Sequence, residues 1–183
     1  MIEVRWHGRG GQGGFTVSRL LGMAVSLFNG KHAIAFPAFG PERRGAPVLA
    51  FTKIDDTKID DRSEVELCDY VVIMDETLIN PSIVKGLKDD SSILINTTNP
   101  AKYVKFFPKN NKIYSIDATN IALEVLKRAI TNTTMLGALI AISSITDLES
   151  CKKSIDNELK PVIAEKNKLV LERAFKEVKE YRG

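Results

Sequence analysis

The sequence predicts an α/β fold carried on a mainly parallel sheet, as one domain over residues 1–183. Strand-like and helix-like stretches alternate as far as Ala129, the pattern that places helices against a parallel sheet. Tyr70-Val71-Val72-Ile73-Met74 is a continuous apolar run, as expected of a strand covered on both faces. From Asn132 onward the chain reads as wholly helical, giving a C-terminal third that packs back on the sheet.

Ile2-Glu3-Val4-Arg5-Trp6 alternates apolar and polar, a strand period, and five glycines follow among the eight residues His7 to Gly14. Phe15–Phe28 reads as a helix whose apolar side chains occupy most of its circumference, so it needs cover on more than one side. Asn29-Gly30 is its stop signal. Lys31–Phe36 reads as a second strand. The segment Pro37–Pro47 holds three prolines and two glycines among irregular positions and reads as a stiff loop. Val48–Ile54 is the next strand, closed by the acidic turn Asp55–Lys58. Residues 78–88 read as a helix with Pro81 in its first turn. Ser92–Ile95 and Lys112–Ile116 are strands, with a weak helix over 101–107 between them. Asp117 is placed to cap a helix over Asn120–Ala129. Thr133–Ile145, Asp147–Leu159 and a helix beginning at Pro161 follow. Val170, Ala174, Val178 and Tyr181 form the apolar stripe of that last helix.

Composition narrows the function. With 44% hydrophobic and 27% charged residues the chain is an ordinary globular one. Its longest apolar run, Met135–Ile142, is far short of the ~20 residues of a membrane span. No basic and apolar leader opens the sequence, and Cys68 and Cys151 form no Cys-x-x-Cys pair. The expectation is a cytoplasmic protein with no membrane or nucleic-acid partner. The formal charge of +3 hides a segregation: residues 1–50 carry six basic side chains against two acidic, and residues 55–69 carry seven acidic against two basic. The basic part coincides with the glycine turn and the proline loop. It suits an anionic ligand or an acidic partner, and equally two differently solvated faces.

Gly8-x-Gly10-x-x-Gly13, after a strand and before a helix, satisfies the dinucleotide fingerprint, so the domain reads as Rossmann-like. Free N–H groups at Gly10, Gly11, Gln12 and Gly13, together with the helix N-terminus, would form a concave donor surface for an anion. A nicotinamide cofactor, however, needs an acidic residue at the end of the second strand. Phe36-Pro37 stands there, with no acidic residue between Glu3 and Glu42. No Gly-Lys-Ser/Thr follows the glycines, which excludes a P-loop. The glycines also serve tight turning and close helix–strand packing. Arg43 and Arg44 can clamp a phosphate or carboxylate between two guanidinium groups, or pair across an interface. His7 reads as a hydrogen-bonded structural histidine, and His32 as a surface or strand-edge one. Two isolated histidines and two isolated cysteines make no metal site. Asp75-Glu76 and Asp117 fall at strand C-termini, as site residues or as helix caps. No nucleophile–base–acid set can be assembled, so no catalytic residue is assigned. The chain reads as a recognition surface whose reaction is completed by other chains.

Two stretches carry a resemblance: Trp6-His7-Gly8-Arg9-Gly10-Gly11-Gln12-Gly13-Gly14 and Phe36-Pro37-Ala38-Phe39-Gly40-Pro41-Glu42-Arg43-Arg44-Gly45-Ala46-Pro47. Together they resemble the γ subunits of the pyruvate:ferredoxin and 2-oxoacid:ferredoxin oxidoreductases, the pyruvate synthase family. Asp75–Leu78, Asp117–Ala122 and Asn132–Leu139 are similar to later blocks of that family. The resemblance implies an oxidoreductase acting on an oxo group with an iron–sulfur protein as acceptor. Pyruvate, coenzyme A and oxidised ferredoxin would give acetyl-CoA, carbon dioxide and reduced ferredoxin. It also implies α, β and δ partner subunits that hold thiamine diphosphate and iron–sulfur clusters, and contact with ferredoxin through the complex. This chain alone would bind no cofactor. It would wall the coenzyme A side of the active site, with Gly10–Gly13, Arg43 and Arg44 facing coenzyme A or another subunit. A branched-chain 2-oxoacid enzyme acting on 2-oxoisovalerate is the alternative within the family. A stand-alone nicotinamide-dependent reductase is the alternative outside it.

Overall fold

The computed structural model describes residues 1–38 and 44–181. Seven strands form one sheet in the order β2-β3-β1-β4-β5-β6-β7. These are β1 (Ile2–Arg9), β2 (His32–Pro37), β3 (Pro47–Asp55), β4 (Cys68–Ile73), β5 (Leu87–Asn96), β6 (Lys112–Ile116) and β7 (Lys179–Tyr181). The α-helices are α1 (Gly14–Phe28), α2 (Ala118–Leu126), α3 (Asn132–Ile142), α4 (Leu148–Glu158) and α5 (Pro161–Glu177). Strands β1, β4, β5 and β6 pair in parallel at the centre; β3 runs antiparallel to both β1 and β2, and β7 antiparallel to β6. Five strands therefore point one way and only β3 and β7 the other. The sheet is mainly parallel, as the sequence predicts, with an antiparallel partner at each flank.

Strand periodicity divides the core into two. On one face Val4, Trp6, Ala50, Val72, Leu94 and Ile116 pack with buried side chains from all five helices. On the other, Phe51, Val71, Ile73, Ile93, Ile95 and Ile113 are closed over by Val65, Ile83, Tyr103 and Phe107 from irregular segments. The run Tyr70–Met74 thus does feed both faces. Trp6 is fully buried, and its indole N–H donates to Thr52 Oγ1 at 3.1 Å. The Thr52 hydroxyl in turn donates to the Ser18 carbonyl, also at 3.1 Å. One chain of bonds thereby joins β1, β3 and α1 without leaving a buried donor unpaired.

Residues 78–88 are not the expected helix. A 3₁₀ turn at Glu76–Leu78 is followed by successive tight turns, and β5 begins at Leu87. The carbonyls of Ile83 and Lys85 are taken by the Arg5 guanidinium, at 2.7 and 3.0 Å, so they cannot continue a helical ladder. Gly86 then reverses the chain at φ 79°. Segment 101–107 is likewise two 3₁₀ turns rather than a helix. Helix α2 stops at Leu126 because Lys127 takes a left-handed conformation, short of the expected Ala129. The C-terminal third is helical up to Glu177. Val178 and Tyr181 then leave the expected stripe, and Lys179–Tyr181 becomes an edge strand on β6.

The acidic segment 55–69 is in part spent on cations elsewhere in the chain. Asp61 accepts the ammonium of buried Lys53 at 2.7 Å, Asp69 accepts Lys88 at 2.8 Å, and Asp55 accepts the N-terminal ammonium at 3.1 Å. The Lys53 side chain is 2% exposed, and burial of an unpaired ammonium there would be prohibitive.

Helices α3 and α5 touch through Gly137, where an added Cβ would lie 2.1 Å from the Leu171 carbonyl oxygen. Gly137→Ala is expected to destabilise the chain by about 2–3 kcal/mol, since backbone must move to admit the methyl. Gly30→Ala, at φ 68° in open space, is expected to lose only about 1 kcal/mol from backbone strain. Urea denaturation of the two variants checks the difference.

Candidate functional site

The site begins where β1 leaves the sheet. Strand β1 carries the chain to Arg9; Gly11 and Gly13 then take φ of 94° and 78°, which a side chain would resist, and α1 starts at Gly14. A Cβ on Gly13 would also stand 2.4 Å from Asn132 Nδ2 at the start of α3, so this glycine sets how closely the two helix N-termini approach. The next strand in the chain, β2, lies at the sheet edge beyond β3, whereas the next strand to the other side of β1 is β4. The connections thus diverge between β1 and β4. In open α/β sheets the crevice beyond the strand C-termini at such a divergence is where ligands bind.

The structure separates the residues singled out in the sequence. Gly10 is committed internally: its N–H donates to the Ala46 carbonyl at 2.9 Å, and its carbonyl accepts from Gly45 N–H at 3.0 Å. The Gln12 N–H donates to the Arg9 carbonyl at 2.9 Å. Among the described residues, no acceptor faces the N–H groups of Gly11 and Gly13. Nor does any side chain cap α1, and its first turn carries no acidic residue. Helices α2 and α4, by contrast, are capped by Asp117 and Asp147, which accept from the N–H groups of Asn120 and Ser150. Among the described residues, the donors without an acceptor at this turn are therefore those of Gly11, Gly13 and the first amides of α1. Arg44 is exposed, with Cγ 4.0 Å from a Cβ built on Gly11, and its guanidinium has no ion-pair partner among the described residues. Arg43 lies outside the described residues.

Arg9 binds the site together, a role the sequence reading did not give it. Its Nε donates to Asp75 Oδ2 at 2.8 Å, Nη1 to the Gly45 carbonyl at 3.0 Å, and Nη2 to Thr77 Oγ1 at 2.7 Å. Gln12 Oε1 accepts from the Arg9 N–H at 2.7 Å, which clamps the turn from inside. Burial pushes the Asp75 carboxyl up, but the Thr77 N–H and hydroxyl and the Arg9 guanidinium outweigh it and hold the group below its ordinary value. Beside it is a cavity of about 330 Å³, lined by Gln12, Asp75, Glu76, Asn96, Thr119 and Thr131 among others. Asn96 donates to the Met74 carbonyl at 3.0 Å and to Thr119 Oγ1 at 2.9 Å, joining the ends of β4 and β5 to α2. Glu76 accepts the Thr97 hydroxyl. Asp75 and Asp117 accordingly act as caps, and Asp75 also lines the crevice.

His7 faces away from this turn, on the side opposite the helices. Its Nε2 accepts the Arg5 Nε–H at 3.0 Å. Burial, reinforced by the adjacent Arg5 charge, lowers its pKa from 6.5 to about 3, so the ring stays neutral and structural. Among the described residues no group of three or more His, Cys, Asp or Glu is placed to hold a metal ion, and no helix is long and apolar enough to cross a membrane. The fold also disfavours the nicotinamide alternative. With β3 inserted between β1 and β2, the strand end that normally presents an acid to the ribose is displaced to the sheet edge, and it carries Phe36-Pro37.

A model of the pyruvate ferredoxin/flavodoxin oxidoreductase family matches residues 3–177. The chain belongs to that family. It is 45% identical over 179 residues to the pyruvate synthase subunit PorC of Methanocaldococcus jannaschii, covering 97% of each chain. It is 42% identical to the pyruvate/ketoisovalerate oxidoreductases common subunit gamma of Thermococcus kodakarensis, covering 96% of each. The crystal structure of pyruvate oxidoreductase subunit PORC from Thermotoga maritima superposes with a TM-score of 0.88 at 43% identity, over 99% of this chain and 98% of that one. The chain is thus a gamma-type member of the family, whose complexes are oxidoreductases acting on an oxo group with an iron–sulfur protein as acceptor.

The His7 geometry has a pH signature. The unfolded chain binds a proton near pH 6.5 and the folded one only near 3, so stability is complete above 6.5 and is lost as pH falls toward 3. Unfolding free energy is expected to drop by about 2 kcal/mol from pH 8 to pH 5 through this group. His7→Gln, whose Oε1 can accept the Arg5 bond, should flatten that slope in urea titrations at the two pH values.

Proposed function

We propose that this chain is the γ subunit of a cytoplasmic pyruvate synthase, in which it forms the wall on the coenzyme A side. The complex converts pyruvate, coenzyme A and oxidised ferredoxin to acetyl-CoA, carbon dioxide and reduced ferredoxin. Thiamine diphosphate and the iron–sulfur clusters belong to the α, β and δ partner subunits, and ferredoxin docks on the assembled enzyme. The observation that carries the reading is the pair of amides at Gly11 and Gly13, which find no acceptor among the described residues, at the start of a helix without a side-chain cap and beside Arg44, which has no ion-pair partner among those residues. Backbone N–H groups, a positive helix end and a guanidinium are together suited to a phosphate oxygen. Coenzyme A is the phosphate-bearing reactant of this reaction. Gly10 and Gln12 shape the turn rather than donate their backbone N–H groups from it.

A second reading is favoured by the relative described as common to pyruvate and ketoisovalerate oxidoreductases. On that reading one γ chain serves both a pyruvate and a branched-chain enzyme, since it grips the shared thioester carrier and not the oxoacid side chain. Assays of the native complex with pyruvate and 2-oxoisovalerate separate the two.

In the complex assembled with its partner subunits, Arg44→Ala is expected to raise the KM for coenzyme A about tenfold, with kcat at saturation little changed. An unchanged KM combined with weakened subunit co-purification would instead assign Arg44 to docking.

A further inference from the structure

We propose that Arg9 is a positioning residue for the coenzyme A phosphate: it fastens Arg44 beside the glycine turn and neutralises the Asp75 carboxylate that would otherwise oppose the anion. The inference rests on the phosphate reading above and adds to it a residue that does not itself touch the ligand.

Three features carry it. First, the segment that follows Arg44 is held to the turn by few bonds. These are Gly10 N–H to the Ala46 carbonyl, Gly45 N–H to the Gly10 carbonyl, and the Arg9 Nη1 contact to the Gly45 carbonyl. Gly45 adopts φ 81° with nothing within 4 Å of where its Cβ would be, so side-chain packing contributes nothing to its place. Second, Arg9 reaches three acceptors on two separate segments, Asp75 and Thr77 after β4 and Gly45 before β3. A guanidinium fork can do this; a lysine ammonium lacks the planar spread. Third, Asp75 lines the crevice next to Gln12 and its side chain is 18% exposed. Its Oδ1 is taken by the Thr77 N–H and hydroxyl, at 3.0 and 2.5 Å, and its Oδ2 by Arg9. Remove Arg9, and a negative charge stands uncompensated at the mouth of an anion cradle, in surroundings that screen it poorly.

The test uses the complex assembled with its partner subunits, with coenzyme A as the varied substrate at saturating pyruvate. Arg9→Ala is expected to raise the KM for coenzyme A about tenfold while leaving kcat within about twofold. Arg9→Lys, keeping charge but losing the fork, should raise it about threefold. Adding Asp75→Asn to Arg9→Ala should bring KM back toward the Arg9→Lys value, because the uncovered carboxylate is gone. A general structural role would lower kcat and subunit yield together, with no recovery in the double variant, and that result overturns the proposal. So does an unchanged KM in Arg9→Ala when Arg44→Ala raises it. If neither variant moves KM, the phosphate reading itself falls. Should Arg9→Ala fail to assemble, Arg9→Lys against Arg9→Lys with Asp75→Asn decides in the same way: a raised KM that the second change lowers supports the proposal, and an unmoved KM ends it.

Discussion

Strand β1 is paired with β3 from Ile2 to Arg9 on one side and with β4 on the other, and its backbone leaves that ladder only at the glycine turn. Its place in the middle of the sheet determines the site. Because β3 runs antiparallel to β1, the Arg44–Pro47 segment that feeds β3 arrives at the same end of the sheet where β1 departs. Gly10 can then exchange both of its backbone bonds with that segment. Because β4 runs parallel to β1, its own C-terminal residues, Met74 to Thr77, also emerge at that end. Met74 N–H donates to the His7 carbonyl at 2.8 Å and continues the pairing to the rim. Three chain segments distant in sequence thus converge within reach of one arginine.

The two faces of β1 are treated differently, and the difference explains its unusual polar content. Val4 and Trp6 look toward the helices, where apolar packing is continuous. Arg5 and His7 look the other way, under a layer of turns instead of helices. Turns leave carbonyl groups unpaired inside the protein, and a buried guanidinium can satisfy two of them at once. Neutral His7 accepts the Nε–H of Arg5, so each of the three guanidinium nitrogens makes a hydrogen bond, none of them to a carboxylate among the described residues. Lys53 on the adjacent strand solves the same problem through Asp61 and Glu3. The acidic run 55–69 is therefore accounted for in part by internal cations, while Arg44 beside the glycine turn has no ion-pair partner among the described residues.

A constellation of nucleophile and base is not assembled among the described residues: His7 is turned inward and held neutral, and both cysteines are buried, with the Cys151 thiol pushed up to about 12 by desolvation. What the strand ends offer are donors, hydroxyls and carboxylates already bonded into a rigid frame. Preorganised groups of that kind lose little freedom when a ligand arrives, which favours tight and oriented binding.

Much of this was legible in the sequence by itself. The apolar run of β4, the glycine turn, the cap Asp117 and the helical C-terminal third are local signals, set by backbone preferences and by side chains bonding to near neighbours. So was the absence of an acid after β2, which argued against a nicotinamide before any strand order was known. What the sequence could not decide was which long-range partner each polar group would take. Residues 78–88 look helical in isolation, yet Arg5, distant in the chain, takes their carbonyls. Arg9 looks like one more basic residue in a glycine turn, and only the meeting of β1, β3 and β4 supplies the three acceptors that define it. Local preferences amount to a few tenths of a kcal/mol per residue, whereas leaving a buried donor or charge unpaired costs several times more, so tertiary pairing decides wherever the two conflict.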